Sequence, residues 1–380
     1  MSRHSPFLFL SEADMIAVGV DDADRSVRVA GEVFRLLHKG DYLMGGARRN
    51  SHGLVLSFPN WSPFPNMPLH GPDRRFSAMP AYLGGRFDLC GVKWYGSNAE
   101  NRARGLPRSV LTVMLNDKVT GEPLALLAAG RLSSSRTAAV PAVASRYLPR
   151  RAPRRLAVIG CGEINRQVVR TLLSQHPGIE TIVCHNRTRS KAEDFAERIL
   201  ASGFRGLVEV ADTPHDGVRD ADLVTVAASR TAPLRIGAAS FAPDACILLS
   251  GPMQSDDEFW TSSTIIWDHV PLHQDYVAEA RAGGDTRAGY AAQIGGPLYA
   301  LADRGRVPAI ERGVDLGTVI AEERTPAAGR TVFVSSGMAV FDVAWGADLL
   351  ASAHQLGIGT PLELWGAETE GALASTEAGR

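Results

Sequence analysis

The sequence predicts an α/β protein organised around a doubly wound parallel sheet of the Rossmann type. Residues 156–189 read as strand, glycine turn, helix and strand, about the ~30 residues that a βαβ unit needs. Further along, short apolar runs alternate with helical segments as far as Asp268. This alternation is typical of a parallel sheet with helices on its faces.

The first glycine turn carries a dinucleotide-binding pattern, Gly160-Cys161-Gly162. Gly160 allows a sharp turn out of the strand, and Gly162 has no Cβ, so a pyrophosphate can approach the backbone. The helix that starts at Glu163 and Ile164 presents N–H groups and a positive dipole end to phosphates. Asn165 stands where the fingerprint has its third glycine, and a small residue is usual there. The alternative is a glycine turn in another doubly wound sheet.

The end of the second strand bears on the choice of cofactor. An acid there would bind the ribose 2′-hydroxyl of NAD, but this chain has Asn186, Arg187, Thr188 and Arg189. Arginine and hydroxyl groups suit a 2′-phosphate, which favours NADP and leaves NAD possible. The alternative for both arginines is a solvated helix start.

Composition excludes several classes of function. A chain of 380 residues with 45% hydrophobic and 21% charged residues fits a soluble protein of two domains. A formal net charge of −1 points to no nucleic-acid partner, and no apolar run is long enough for a membrane span. Four cysteines without CxxC spacing predict no disulfide frame and a reducing cytoplasm, and the histidines show no metal-binding spacing.

The first part of the chain is rich in predicted strands, and the end returns to helix. Ser11 opens a short helix with a capping box, and Asp21 or Asp22 caps a longer one. Residues 42–80 hold so many glycines and prolines that we expect an ordered functional loop. Strands are predicted at 7–10, 76–82, 87–94, 108–116, 123–128 and 331–335, and helices at 132–148 and 337–353.

In a parallel sheet, ligands bind outside the carboxyl ends of the strands. Residues 160–165, 227–230 and 250–251 each follow a predicted strand of the nucleotide domain. We therefore expect these segments around one crevice.

Five stretches of the chain resemble the ornithine cyclodeaminase/mu-crystallin family, in order and spacing, over about residues 7–355. They are Met79-Pro80-Ala81-Tyr82, Gly91-Val92-Lys93-Trp94, Thr120-Gly121-Glu122-Pro123-Leu124-Ala125, Ser135-Arg136-Thr137-Ala138-Ala139-Val140 and Ser335-Ser336-Gly337-Met338-Ala339-Val340-Phe341-Asp342. The fourth and fifth stretches are fairly specific when they occur together.

The resemblance implies a homodimer whose α+β substrate and dimerisation domain, residues 1–135 with 330–380, is interrupted by a Rossmann domain at 136–329. It also implies that Lys93 and Arg136 bind the carboxylate of an amino, imino or keto acid, with Arg48 or Arg49 as a further arginine. Arg136 offers a rigid fork for a carboxylate. An unpaired lysine in an apolar strand is costly to bury, which favours an anionic ligand or a lowered pKa with a role in proton transfer. The alternatives are an arginine bonded to nearby backbone and a lysine that snorkels from the strand edge.

The resemblance assigns further positions to the ligands. Gly337 is expected at the substrate. At the cofactor it implies Ser109, Thr137, Ala227, Ala228, Ser229 and Ser336, in addition to the turn and strand-end residues above.

Two departures from the family pattern shape the functional hypothesis. Ser229 stands where the ring-closing members carry an acid, and residues 50–75 form a long insert that we expect, with 94–108, to line a distinct substrate pocket. The resemblance therefore implies an NADP-dependent oxidoreductase that transfers hydride at the C–N bond of an amino or imino acid. The alternatives are an ornithine or lysine cyclodeaminase that releases ammonia, and a non-catalytic NADPH-binding protein.

Overall fold

The computed structural model describes residues 6–228 and 234–365. These residues belong to two compact units. The first unit is Met1–Asp21, Gly53–Ser133 and Asp342–Arg380, and the second unit is Asp22–His52 and Ser134–Phe341. No helix among the described residues is long and apolar enough to cross a bilayer.

The strands, numbered in chain order, are β1 Phe7–Leu10, β2 Tyr42–Met44, β3 Leu54–Ser57, β4 Arg75–Leu83, β5 Leu89–Ser97, β6 Ser109–Asn116, β7 Pro123–Ala128, β8 Arg155–Ile159, β9 Thr181–His185, β10 Leu207–Val210, β11 Leu223–Val226, β12 Cys246–Leu249, β13 Thr264–Trp267, β14 Val314–Asp315, β15 Thr331–Val334 and β16 Thr360–Leu362. The α-helices are α1 Glu12–Ala17, α2 Ala23–Lys39, α3 Gly130–Tyr147, α4 Glu163–Gln175, α5 Arg189–Ala201, α6 Pro214–Val218, α7 Asp257–Thr261, α8 Val270–Ala282, α9 Thr286–Ala291, α10 Gly296–Asp303, α11 Leu316–Ala321 and α12 Ala339–Leu356.

The first unit contains a mixed sheet with the strand order β16-β1-β7-β6-β5-β4, and β3 pairs with β4. Its pairs are antiparallel except β1 with β7, which is parallel. Alternate residues of β4 and β5 are buried, so one face of the sheet is covered and the other is open. Lys93 lies on the covered face and Trp94 on the open one, because neighbouring side chains point to opposite faces of a strand.

The second unit contains a parallel sheet with the strand order β10-β9-β8-β11-β12-β15-β13-β14. The strand order reverses at β8 and β11, so the connections leave to opposite sides there. β11, β12 and β15 are buried along their whole length, as expected for strands covered on both faces. The predicted Rossmann doubly wound fold is confirmed, and its switch point lies beside the Gly160 turn.

The units differ from the expected domain ranges at two segments. Residues 22–52 group with the second unit, because the apolar face of α2 packs on α4 and α11 and the Phe34 ring lies 5.0 Å from that of Phe341. β15 belongs to the second sheet, where it pairs with β12 and β13. The second unit therefore continues to Phe341 instead of ending at residue 329.

Several elements also differ from the sequence predictions. The expected loop at 42–80 contains β2, β3 and the start of β4. The capping box at Ser11 is present with Asp14 as its acid, and Asp22 is the residue that caps α2. Helices α8 to α11 had no counterpart in the prediction.

Candidate functional site

The glycine turn after β8 has the geometry that a phosphate-binding turn requires. Gly160 has φ +94°, and a Cβ there would lie 2.8 Å from the carbonyl oxygen of Ala227, so only glycine fits. A Cβ at Gly162 would meet no atom within 4 Å, so the space beside it is open. Gly162 is the N-cap of α4 and supplies no side chain to its amides. The N–H groups of the first turn therefore receive no hydrogen bond from an N-cap side chain.

Asn165 links the turn to the sheet. Its Nδ2 donates to the carbonyl oxygens of Ile159 at 3.1 Å and of Gly160 at 2.7 Å, and its Oδ1 accepts from the Thr225 hydroxyl at 2.8 Å. Asn165 and Thr225 are both fully buried. A hydrogen-bonded asparagine therefore stands here where a small residue is usual. Its hydrogen bonds connect β8 and β11 to α4.

Asn186 connects the glycine turn to the end of β9. Its Oδ1 accepts from the Cys161 N–H at 3.2 Å, and its Nδ2 donates to the Thr188 carbonyl at 3.0 Å. Both ends of this amide are thus bonded within the protein. Asn186 therefore holds these two loops together, and its predicted contact with the cofactor stays a prediction.

The two arginines after β9 differ in their surroundings. Arg189 bonds Glu193 at 2.8 Å and also pairs with Asp212, so its guanidinium is held by carboxylates. Arg187 is exposed and forms no ion pair with any described residue. Of the pair, Arg187 is the one whose charge is available to a ligand phosphate.

The carboxyl ends of the parallel strands form one edge, as the sequence predicted. Backbone hydrogen bonds link each strand end to the next, from Gly160 N–H to His185 O, Ala227 N–H to Ile159 O and Ser250 N–H to Val226 O. Ala227 and Ala228 lie against Gly160 and Gly251. Ser229 and Arg230 lie outside the described residues.

The same edge carries the loop from β15 to α12, which an acid at the end of β13 holds in place. The Asp268 carboxylate accepts from the Ser336 N–H at 2.7 Å and from the Gly337 N–H at 3.2 Å. Gly337 has φ +79°, and a Cβ there would lie 3.2 Å from Nη1 of Arg136, which is 8% exposed. His52 donates from Nδ1 to the Gly337 carbonyl at 3.0 Å. Two predicted substrate residues, Arg136 and Gly337, thus lie close together.

Asp268 is also the end of a buried network that the sequence reasoning missed. Its Oδ1 lies 2.7 Å from Nε2 of His273, and Nδ1 of His273 lies 2.6 Å from the Tyr299 hydroxyl. Since a carboxylate only accepts, Nε2 carries a hydrogen, and in the neutral ring Nδ1 accepts from Tyr299. Burial raises the pKa of Tyr299, so its hydroxyl stays protonated. An acid directly after an apolar strand was the available signal.

A second hydrogen-bonded group of side chains lies at the N-terminus of helix α8. The Tyr42 hydroxyl donates to Asn50 at 2.5 Å and lies 2.6 Å from Nε2 of His269, which therefore donates to it. Burial, opposed by Asp315, lowers the pKa of His269 to about 4, and burial raises the pKa of Tyr42 to about 12. Both groups are neutral at pH 7.

Lys93 lies on the covered face of β5 in the first unit, 3% exposed. Its Nζ is 2.9 Å from Oδ1 of Asp342 in α12 and donates to the Ser133 hydroxyl in α3 at 2.7 Å. Asp342 therefore already compensates the charge that was expected to need an anionic ligand, and the substrate role of Lys93 stays a prediction. Asp342 stood in the fifth family-like stretch but was not proposed as a site residue.

Part of the insert lines a groove on the face of the first sheet opposite to Lys93. Phe58, Pro68, Arg74, Phe76 and Trp94 line a groove of ≈ 550 Å³ on the open face of the first sheet. Lys93 points to the opposite face. The expectation that residues 50–75 and 94–108 line the substrate pocket stays a prediction.

The remaining predicted residues lie at the surface or are half-buried. Ser109 is paired with Ser97 across β5 and β6, and their hydroxyls are 3.0 Å apart. Arg48 is 3.8 Å from Asp275, and Arg49 has φ +61° in the same exposed turn. Thr137 is half-buried in α3 next to Arg136.

The residues at the carboxyl edge fit a dinucleotide. Besides the open turn and α4, the hydroxyls of Ser250 and Ser336 are buried and have no hydrogen-bond partner within residues 6–228 and 234–365. Unsatisfied buried hydroxyls are costly, so a ligand that bonds them is favoured. Among the same residues no cluster of His, Cys, Asp and Glu could hold a metal ion.

Comparison with known proteins identifies the family of this chain. The model of the ornithine cyclodeaminase/mu-crystallin family matches residues 20–353. The chain is 34% identical to N-((2S)-2-amino-2-carboxyethyl)-L-glutamate dehydrogenase of Staphylococcus aureus over 125 residues, which is 33% of this chain and 37% of that enzyme. It is 29% identical to the Delta(1)-pyrroline-2-carboxylate reductase of Bacillus cereus over 293 residues, which is 75% of this chain and 83% of the relative.

A solved structure shares the fold. The Delta(1)-pyrroline-2-carboxylate reductase of Thermococcus litoralis, solved in complex with NADH and L-proline, has a TM-score of 0.75 with this chain. The sequences are 18% identical, and the likeness covers 94% of this chain and 100% of the other.

Proposed function

We propose that this chain, which belongs to the ornithine cyclodeaminase/mu-crystallin family, is an oxidoreductase that uses a nicotinamide dinucleotide to reduce the C=N bond of an imino acid or to catalyse the reverse reaction. The open glycine turn at the start of α4 is the observation that carries the proposal. Two relatives that match the chain, a Delta(1)-pyrroline-2-carboxylate reductase and an amino-acid dehydrogenase, support the choice of reaction.

The chain's own residues bind the dinucleotide in this proposal. The amides at Glu163 and Ile164 bind the pyrophosphate with the positive end of α4, and Gly162 leaves the space for it. The Ser250 and Ser336 hydroxyls bond the part of the cofactor that lies beyond the switch point. When bound, the dinucleotide supplies the hydride that reduces the C=N carbon.

The substrate residues supply charge and a proton. Arg136 binds the substrate carboxylate, because its fork matches two carboxylate oxygens and Gly337 leaves room beside it. Lys93 gives a proton to the imine nitrogen as hydride reaches the neighbouring carbon. The main catalytic contribution is the fixed position of the substrate beside the nicotinamide.

We assign NADP as the preferred cofactor, with Arg187 as the residue that binds the 2′-phosphate. The end of β9 has no acid at residues 185–189, and Arg187 is exposed there. Arg187→Ala should weaken NADPH binding by ~10-fold or more and leave NADH binding nearly unchanged. Calorimetry with both cofactors measures this, and equal loss for both would contradict the assignment.

We further propose a homodimer that forms through the open face of the first sheet. Leu54, Phe76, Trp94 and Val110 are exposed there, and Trp94 is 47% exposed. The Phe76 and Trp94 rings stack with centroids 5.6 Å apart. A contiguous apolar face of this kind marks a protein interface.

The proposed reaction is tested by NADPH oxidation with cyclic imino acids and with mixtures of 2-oxo acids and amines. Lys93→Ala and Arg136→Ala should each lower kcat/KM by ~100-fold or more while the dinucleotide Kd stays the same. Lys118→Ala is the matched control, because Lys118 is an exposed lysine in the β6–β7 turn and is paired with Asp88.

Two other results would replace the proposal with the alternatives. Ammonia release without net oxidation or reduction of the cofactor would identify a cyclodeaminase. Tight NADPH binding without turnover of any substrate would identify a binding protein.

A further inference from the structure

The buried lysine of the first unit belongs to a three-residue cluster built from three elements. Lys93 comes from the middle of β5, Ser133 from the first turn of α3 and Asp342 from the first turn of α12. The Asp342 carboxylate is completely buried and lies 2.9 Å from Nζ. The Ser133 hydroxyl accepts from the same Nζ at 2.7 Å.

The surroundings of the cluster are mostly apolar. The cross-strand neighbours of Lys93 on β4 and β6 are Met79 and Val113, and both are buried. On its own strand, the Tyr95 ring centroid lies 5.8 Å from Nζ. Coulomb interaction in such surroundings is strong, so the Asp342 carboxylate favours the charged form of Nζ.

Stability alone is a weak reason for this arrangement. Removing two charges from water costs several kcal/mol per ion, and an apolar pair of similar volume often stabilises a core as well or better. Asp342 also stands at the start of an apolar stretch of α12, where Val343, Ala344 and Trp345 follow it in the core. A function for the pair explains its presence better than packing does.

We propose that Asp342 is a positioning residue that holds the proton on Lys93, so that Lys93 is an ammonium when the substrate binds. The proposal rests on the proposed imine reduction. In that reaction the electron pair of the hydride forms the new C–H bond, the C=N π electrons move to nitrogen, and they form the new N–H bond with the proton that leaves Nζ. The neutral amine then regains a proton from water.

The test reads the charge of Lys93 without turnover. The chain has only four lysines, Lys39, Lys93, Lys118 and Lys191. Lysine labelled with ¹³C at Cε therefore gives four signals, and Lys93→Met assigns the one from Lys93. In the intact protein we expect the Lys93 signal to stay that of an ammonium through pH 9. A midpoint below that of the exposed lysines would overturn the proposal even if no variant folds.

Asp342→Asn keeps the size and hydrogen bonding of the side chain and removes the charge. In this variant the midpoint of the Lys93 titration should fall by at least about 1 pH unit. The alkaline limb of the pH profile of kcat/KM should move to lower pH by the same amount. An unchanged midpoint contradicts the inference. A purely structural role would lower the melting temperature and the activity at every pH without moving the limb.

Asp348→Asn is the matched control in the same helix. Asp348 is paired at 2.7 Å with Arg86, and its loss should leave both the Lys93 midpoint and the pH profile unchanged. If the intact protein turns over no imine, the proposed function fails, while the Lys93 titration still decides the role of Asp342.

Discussion

Asn165 shows how one residue can satisfy a motif by a different route. Where the fingerprint has glycine or alanine, this chain buries an amide that bonds two carbonyl oxygens of the turn and the hydroxyl of Thr225. The turn is therefore held by hydrogen bonds as well as by packing.

We expect Asn165→Ala to destabilise the protein, although it restores the small residue of the fingerprint. The buried Thr225 hydroxyl and the turn carbonyls would lose their partner, at a cost of about 2–4 kcal/mol in the free energy of unfolding. Urea unfolding monitored by circular dichroism measures it.

Thr225→Val provides the control for this prediction. It removes the hydroxyl that the alanine variant leaves unsatisfied, so the double variant should lose less than the sum of the single ones. Strict additivity would show that the Asn165–Thr225 bond contributes nothing.

Sequence reasoning found the charged residues but not their partners. Lys93 and Arg136 could be named from the family-like stretches, and Gly160 and Gly162 from local spacing. Asp342 could not be assigned to Lys93, because the two residues are far apart in the chain and meet only through the packing of α12 on the first sheet. The same holds for Asp268, whose bonds to Ser336 and Gly337 join separate strands of the second sheet.

At the scale of elements, the loop from β15 to α12 combines a left-handed glycine with a tight contact. Gly337→Ala should raise the substrate KM by ~10-fold or more. The added Cβ would lie only 3.2 Å from Nη1 of Arg136 and would displace that guanidinium. Cofactor affinity should change little. Steady-state kinetics and calorimetry separate the two effects.

Gly329→Ala is the control for backbone strain. Gly329 has φ +107°, and a Cβ there would meet nothing within 4 Å. It should lower stability by about 1–2 kcal/mol without a change in substrate KM. An equal KM effect in both variants would mean that strain, not the contact with Arg136, is responsible.

The start of α8 should make stability depend on pH. The pKa of His269 is about 4 in the folded chain, below the ordinary 6.5, so the unfolded chain takes up the proton first as the pH falls. The stabilisation is fully present above pH 6.5 and is lost between about pH 6.5 and 4, up to roughly 3 kcal/mol.

His269→Gln should flatten the pH dependence of the unfolding free energy in this window. His354→Gln, at an exposed position of α12, is the comparison and should leave the slope as it is. If both variants retain the full pH dependence of the unfolding free energy, His269 is not its source.

Elements with local signals were predicted well, and elements defined by distant partners were not. The β8–α4–β9 unit and the β6–β7 hairpin follow from apolar periodicity and glycine turns. β15 was expected with the first domain, because nothing in its own four residues indicates that it pairs with β12 and β13. Helices α9 to α11 have only six to eight residues and each contains glycine, so their periodicity is weak.

At the scale of the whole molecule, the open face of the first sheet predicts self-association. Leu54→Lys with Val110→Lys should convert the dimer to a monomer, because both side chains lie on that face and Leu54 is 79% exposed. Sedimentation velocity measures the change.

Val119→Lys is the matched control for the dimer. Val119 is 81% exposed but lies in the β6–β7 turn, away from the face. The Val119→Lys variant should have the same mass in solution as the unaltered protein. A monomeric unaltered protein would contradict the proposed interface.

The two hydrogen bonds of Asn186 constrain attempts to redesign cofactor preference. Its amide holds the Cys161 N–H on one side and the Thr188 carbonyl on the other. An aspartate introduced there to favour NAD could still accept from Cys161 but could not donate to Thr188, so the two loops would separate. Redesign for a different nucleotide should therefore keep Asn186 and vary Arg187, whose side chain forms no ion pair with the residues that the structure describes.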